Sequence, residues 1–274
     1  MAPMNTPFDL PAGAADCHAH VLRTGLPLMP GRHSAPLRDA EVADYLGVLD
    51  AHGVRYGVLT APSFYGADNQ LLLQALDASG GRLRGTAIVE PDIGDAALDA
   101  LHARGVRGIR LNWLRRAPLP DSGTPAYRRL YARLRERDMH VEVYTESEQL
   151  AQVLPPILDS GVRLVLDHFA SLTQGAASPA LGLLRQALDQ GRTWIKLSAP
   201  YRLAGQDPVA LSALLLREAG PQRLLWGTDW PWVSHEDRFH YALCLRWLHQ
   251  WVPDAAQRNT ILSDTPQQLF GFQG

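Results

Sequence analysis

The chain reads as a (β/α)8 barrel with C-terminal helices, on three observations. Eight short apolar or β-branched runs alternate with longer segments of helical period, the pattern of a parallel sheet with crossover helices. The length, 274 residues, is one at which such a barrel runs as a single unit, here taken as residues 1–274. No G-x-G-x-x-G or phosphate-loop pattern supports the main rival, a doubly wound open sheet.

The strands are expected, in order, at residues 15–21, 56–61, 85–90, 108–112, 140–144, 163–168, 194–198 and 224–229. A helix is expected over 39–51, where Val42, Leu46 and Leu49 share a face, and another over 96–103 after a capping Asp95. Proline in the first turn marks the helix over 125–137, and further helices are expected at 148–159, 179–190 and 208–219, the last capped by Asp207. Residues 236–251 and 255–270 continue the helical pattern. A short echo supports this order: Gly53-Val54-Arg55, Gly105-Val106-Arg107 and Gly161-Val162-Arg163 each follow a helix and open an apolar run. Glycine suits the left-handed position that ends a helix, so the three read as equivalent helix-to-strand turns.

Composition narrows the function classes. With 46% hydrophobic and 20% charged residues and a net charge of -2, nothing suggests nucleic acid or an anionic membrane as partner. No segment approaches the roughly 18 apolar residues of a membrane span, and the lead MAPMNTPFDLPAGAAD lacks the basic and apolar regions of a signal peptide. Cys17 and Cys244 form neither a disulfide framework nor a zinc-type spacing, so a reducing cytoplasm is the expected home.

In a barrel of this kind the site lies at the C-terminal ends of the strands. The first run ends in His18-Ala19-His20, and alternation on a strand aims both imidazoles at one point, with Cys17 and Ala19 turned away. The sixth ends in Asp167-His168 and the eighth in Gly227-Thr228-Asp229. Singly, His168 reads as an ordinary barrel-end histidine and Asp229 as a loop cap; together, three histidines and a carboxylate form a set able to bind Zn²⁺ or a similar ion. Asp16 and Asp167 are expected to orient the histidines as hydrogen-bond acceptors. Arg110 interrupts the apolar fourth strand on the face of Gly108 and Asn112, Arg116 lies in the loop beyond, and Arg202 follows the seventh strand. Such guanidiniums attract a carboxylated ligand, although Arg115 and Arg116 also read as plain surface charge. Tyr144, Ser63 and Tyr65 close the fifth and second strands and offer neutral hydrogen bonds, while Glu90 either faces the pocket or caps its loop.

DCHAHV, VLDHFA, WGTDWPW and the closing TPQQLFGF together resemble the amidohydrolase superfamily over nearly the whole chain. SFYGADN, VRGIRLNWLRR, VEVYTES and KLSAPYRL are most similar to its lactonases that open 2-pyrone-4,6-dicarboxylate. The resemblance implies hydrolysis of a cyclic ester of a small anionic substrate. Arg110, Arg116 and Arg202 then hold carboxylates, and Asp229 acts as general base toward water. His18, His20 and His168, or an ion, polarise the carbonyl. Binuclear members carry a carboxylated lysine or a carboxylate on the fourth strand and a histidine on the fifth; Arg110 and Tyr144 stand there instead. One divalent ion, zinc or manganese, on His18, His20 and Asp229 with His168 nearby is therefore one expectation, and metal-independent catalysis the other. Two features depart from the lactonase pattern: Trp232 where a histidine usually follows WGTDWP, and no tyrosine in MPGRHSAPL. A related aromatic-pathway or sugar-acid lactone fits the same arginines. The alternatives are a metal-dependent decarboxylase of the same superfamily and a barrel that binds carboxylates without turnover.

Overall fold

The computed structural model describes residues 8–272, so the first seven residues of the lead lie outside it. Eight parallel strands pair in sequence order: β1 Ala15–Ala19, β2 Tyr56–Thr60, β3 Leu83–Ala87, β4 Val106–Asn112, β5 His140–Tyr144, β6 Arg163–Leu166, β7 Thr193–Leu197 and β8 Leu224–Trp226. A seam joins β8 to β1 just beyond the strand ends, where His20 N donates to Trp230 O at 2.7 Å and Asp229 N to His18 O at 2.8 Å. Helices α1 Val42–Ala51, α2 Gln70–Ala78, α3 Asp95–Ala103, α4 Pro125–Glu136, α5 Leu150–Ser160, α6 Leu181–Asp189 and α7 Pro208–Ala219 alternate with the strands. After β8 come α8 Tyr241–Trp251, then α9 Ala255–Asn259 and α10 Thr265–Phe270, joined by one wide π-type turn. The expected barrel is present, and no helix among the described residues is long and apolar enough to cross a membrane.

Local chemistry explains the elements. Asp207 caps α7 by accepting from Val209 N, and Thr124 caps α4 with Pro125 in its first turn. Gly53, Gly105 and Gly161 all adopt positive φ, at 70°, 96° and 73°, so the Gly-Val-Arg echo does mark three helix-to-strand turns. Several expectations need correction. Asp95 is the first residue of α3, not its cap, a place that Gly94 holds. Helix α2 is absent from the sequence reading because nothing announces its start: Asn69 spends its side chain on Ala67 O, Ile88 O and Ile88 N rather than on a cap. β3 begins and ends earlier than residues 85–90, which leaves Glu90 exposed in a loop and away from the pocket. Residues 236–240 are not helical; α8 starts at Tyr241, where the ring Nδ1 of His240 accepts from Leu243 N, an unusual cap.

Strand parity decides what fills the barrel. Tyr56, Val58, Val165, Trp194 and Leu225 pack with Ala15 and Cys17 against Leu269, Phe270 and Phe272, which plug the N-terminal end. Cys17 thus shares the interior with His18, because the β1–β2 register shifts between Asp16 and Ala19; the expected strict alternation fails there. Above this layer the same parity on β4, β5 and β7 delivers Arg110, Glu142 and Lys196.

Candidate active site

Asp229 stands at the seam with positive φ, 61°, and is 1% exposed. Its Oδ2 accepts from Tyr201 Oη at 2.5 Å and from Arg202 Nε and Nη2 at 3.2 and 3.0 Å. Its Oδ1 lies 3.1 Å from His20 Nε2 and 3.5 Å from His18 Nε2. Burial alone raises a carboxyl pKa, but Arg202, the neighbouring histidines and the His20 hydrogen bond outweigh it and hold Asp229 well below the usual range. Asp16 fixes this segment from behind, accepting from Thr228 N at 2.9 Å and Thr228 Oγ1 at 2.6 Å. Burial pushes the Asp16 carboxyl up to about 6, against those hydrogen bonds.

The histidines have separate settings. His20 donates Nδ1–H to Thr60 O at 2.6 Å, an acceptor-only partner, so Nε2 turns toward Asp229. His168 pairs Nδ1 with Ser198 Oγ at 2.8 Å and packs edge-on against Tyr144. Burial lowers its pKa well below the usual value, so the ring is neutral. His18 lies deepest, under His20 and His168, with ring centroids 5.0 and 4.7 Å away. Burial and then the Lys196 charge lower it to about 4.

Beneath them is a closed ion cluster that the sequence reading missed. Lys196 Nζ donates to Glu142 Oε2 at 2.5 Å and sits 3.2 Å from Asp167 Oδ1, while Arg110 grips Asp167 Oδ2 through Nε at 3.2 Å and Nη2 at 2.8 Å. Burial and Asp167 act to raise Glu142, yet Lys196 and its other partners bring it to about 2. The signal was available: Glu142 in HVEVY and Lys196 in WIKL break apolar strands at inward parity, as Arg110 does.

Two adjoining cavities share wall residues such as Tyr144, His168 and Arg202: an inner one of about 190 Å³, which Asp229 lines, and an outer one of about 440 Å³. His20, Arg110, Tyr144, His168, Arg202, Asp229 and Ser63 line the inner one, while His18 lies below its wall. Arg115 and Arg116 are both exposed, but Arg115 lines both cavities and Arg116 lines neither. Tyr65 also misses the cavity: its hydroxyl donates to Arg23 O at 2.7 Å and accepts from Arg23 N at 2.9 Å. Trp232 is buried with its indole N–H on Thr228 O at 3.0 Å, and His33 and His235 supply the rim instead. Side chains around the cavities hang from strained backbone: His168, Arg115 and Ala199, which leads into Tyr201 and Arg202, have φ of 47°, 57° and 48°. Each costs of order 1 kcal/mol or more, a pattern found where surrounding structure fixes a site.

The family model for amidohydrolases matches residues 15–272. The chain belongs to the amidohydrolase family. Among curated relatives, a 2-pyrone-4,6-dicarboxylate hydrolase of Comamonas testosteroni is 31% identical over 286 residues, covering 98% of this chain and 93% of that one. A 4-sulfomuconolactone hydrolase of Rhizobium radiobacter is 31% identical over 280 residues, with 96% and 92% covered. A solved structure from Acinetobacter baumannii, a probable 2-pyrone-4,6-dicarboxylic acid hydrolase with citric acid bound, superposes with a TM-score of 0.89 at 31% identity, covering 95% of this chain and 100% of that one. The superfamily's decarboxylases are more distant: one from Rhizobium shares the fold alone, at 16% identity and a TM-score of 0.70.

Amidohydrolases often hold a divalent ion, and two donor sets converge here, His18/His20/Asp229 and His18/Asp167/His168, each with its atoms within 4.8 Å. Both need His18. A ligating histidine offers one bare nitrogen while the other donates to an acceptor; His20 has its acceptor in Thr60 O, but its Nε2 is engaged with Asp229 Oδ1 at 3.1 Å, and His18 Nδ1 faces the Lys196 ammonium at 3.1 Å. Lys196, Arg110 and Arg202 already balance Glu142, Asp167 and Asp229 in charge. These residues do not fit a three-ligand ion.

Proposed function

We propose that this protein hydrolyses the ester bond of a carboxylated lactone, with no metal in the reaction. The observation that carries the reading is the inner cavity itself, where Arg110, Arg115 and Arg202 face the single carboxylate of Asp229. An anion enters such a site favourably, and guanidiniums grip carboxylates through paired N–H groups. Their duties divide. The Arg110 fork is spent on Asp167, and Nη1 donates to Ala61 O at 3.2 Å, so Arg110 supplies charge. Arg115 and Arg202 do the gripping, with Tyr144 and Ser63 adding neutral hydrogen bonds.

A carboxylate that engages Arg202 draws it from Asp229, and the base regains the basicity that Arg202 had suppressed. Asp229 Oδ1 then takes a proton from water as its oxygen bonds to the lactone carbonyl carbon. Charge developing on the carbonyl oxygen is met by Arg110 and by the Nε2–H of His168, with Ser198 donating to Nδ1. The ring C–O bond breaks, and Asp229 returns the proton to the departing oxygen. The product is an open-chain acid with one more carboxylate.

Turnover in ¹⁸O-water tests this. One ¹⁸O is expected in the new carboxylate, with no CO2 released and no loss of rate after chelation. Asp229→Asn is expected to lower kcat at least about 10³-fold while lactone binding persists. Release of CO2, or product without ¹⁸O, contradicts the reading.

A further inference from the structure

Lys196 is fully buried at the centre of the barrel, and its ammonium meets three acceptors: Glu142 Oε2 at 2.5 Å, His18 Nδ1 at 3.1 Å and Asp167 Oδ1 at 3.2 Å. An ammonium carries three hydrogens and no lone pair, so the histidine nitrogen beside it must accept. A neutral imidazole that accepts at Nδ1 carries its hydrogen on Nε2. In His18 that nitrogen is buried without a hydrogen-bond partner and faces Asp229 Oδ1 at 3.5 Å. The opposite tautomer also has an acceptor within reach, because Asp167 Oδ1 lies 3.3 Å from His18 Nδ1, but the Lys196 ammonium is the nearer partner of that nitrogen, at 3.1 Å. Lys196 therefore decides between two ring forms whose partners are both in place.

We propose that Lys196 is a positioning residue that withholds His18 from metal ligation: its ammonium, anchored by Glu142 and Asp167, keeps the ring hydrogen on Nε2, so that an N–H rather than an ion faces Asp229. The role of Asp229 as base rests on the lactonase reading; the ring form of His18 is measured without any turnover, so the two fail separately. Removing the ammonium frees Nδ1 to donate to Asp167 and bares Nε2 beside His20 and Asp229. The variant should then do what the native chain does not, and bind an ion.

The test uses protein labelled with ¹⁵N-histidine. Long-range ¹H–¹⁵N correlation, with His18 assigned by its loss in His18→Asn, is expected to show hydrogen on Nε2 and an accepting Nδ1 at neutral pH. Incubation with Zn²⁺ followed by desalting should leave the native protein substoichiometric in metal. Lys196→Met should shift the His18 hydrogen to Nδ1 and retain one equivalent of Zn²⁺, lost again on adding His18→Asn. Because a buried unpaired Glu142 threatens folding, the charge-neutral pair Lys196→Met with Glu142→Gln is made alongside. Nδ1–H in the native protein, one retained equivalent of Zn²⁺ in the native protein, or a folded variant that keeps Nε2–H and gains no metal each overturns the proposal. If neither variant folds, the ring form and metal content of the native protein decide it.

Discussion

Arg115 and Arg116 are adjacent and of one chemistry, yet the turn after β4 sends only Arg115 to the cavity. Its guanidinium has no hydrogen-bond partner among the described residues; only its backbone N–H is engaged, with Glu146 Oε1 at 2.8 Å. A hydrogen bond to a charged group is worth about 1.5–3 kcal/mol, so Arg115→Met is expected to raise KM roughly 10- to 10²-fold. Arg116→Met, which removes an exposed charge, should leave kcat and KM within about twofold. Steady-state kinetics on the two variants checks this, and a larger effect at Arg116 returns the role to it. The choice was not legible in the sequence, since it depends on Arg115 adopting a left-handed φ that no neighbouring residue type demands. The tyrosines illustrate the same limit: Tyr65 was expected at the cavity and serves Arg23, whereas Tyr201, unremarked beside Arg202, holds Asp229.

The strand ends must converge closely if the site is to form. At the seam, Gly227 packs against β1 so tightly that an added Cβ would lie 2.5 Å from His18 Cβ and 2.8 Å from His18 N. Backbone cannot yield there as a flexible side chain does. Gly227→Ala is thus expected to cost about 1–3 kcal/mol, read as a Tm several degrees lower, and to displace His18 and Asp229 together, with lower kcat. An unchanged Tm would mean that the seam is looser than described. The elements themselves were largely legible, because alternation, caps and terminal glycines are local signals. What was missed lacks such signals: α2 has no side-chain cap, and α8 begins at a histidine cap. Glu142 and Lys196 escaped notice because each is read against its own strand, and their partnership spans 54 residues of sequence.

Across the molecule, the buried charges link stability to pH with two signs. Asp167, Glu142 and Asp229 are depressed by their cation partners despite burial, so they contribute stability that is present above the unfolded carboxyl pKa, about 4, and lost below it. Asp16 works the other way: raised to about 6, it adds stability as pH falls from above that value toward the unfolded pKa. His18 and His168 are kept neutral by burial while their unfolded counterparts take up protons near about pH 6.5, so stability is lost as pH falls below that value, and the two outweigh the single gain at Asp16. Calorimetry is expected to show a Tm that falls from about pH 6.5 downward and more steeply below about 4; a Tm that holds or rises between pH 7 and about 5 contradicts the assignment. The central claim, a lactonase built on Asp229 and the cavity arginines, is tested most directly by the ultraviolet absorbance of 2-pyrone-4,6-dicarboxylate mixed with purified protein, with and without chelator. Loss of the pyrone signal at equal rates in both samples, and none with Asp229→Asn, is the expected result. A signal that persists with this substrate and with a panel of other carboxylated lactones, or one that decays as fast with Asp229→Asn, contradicts it.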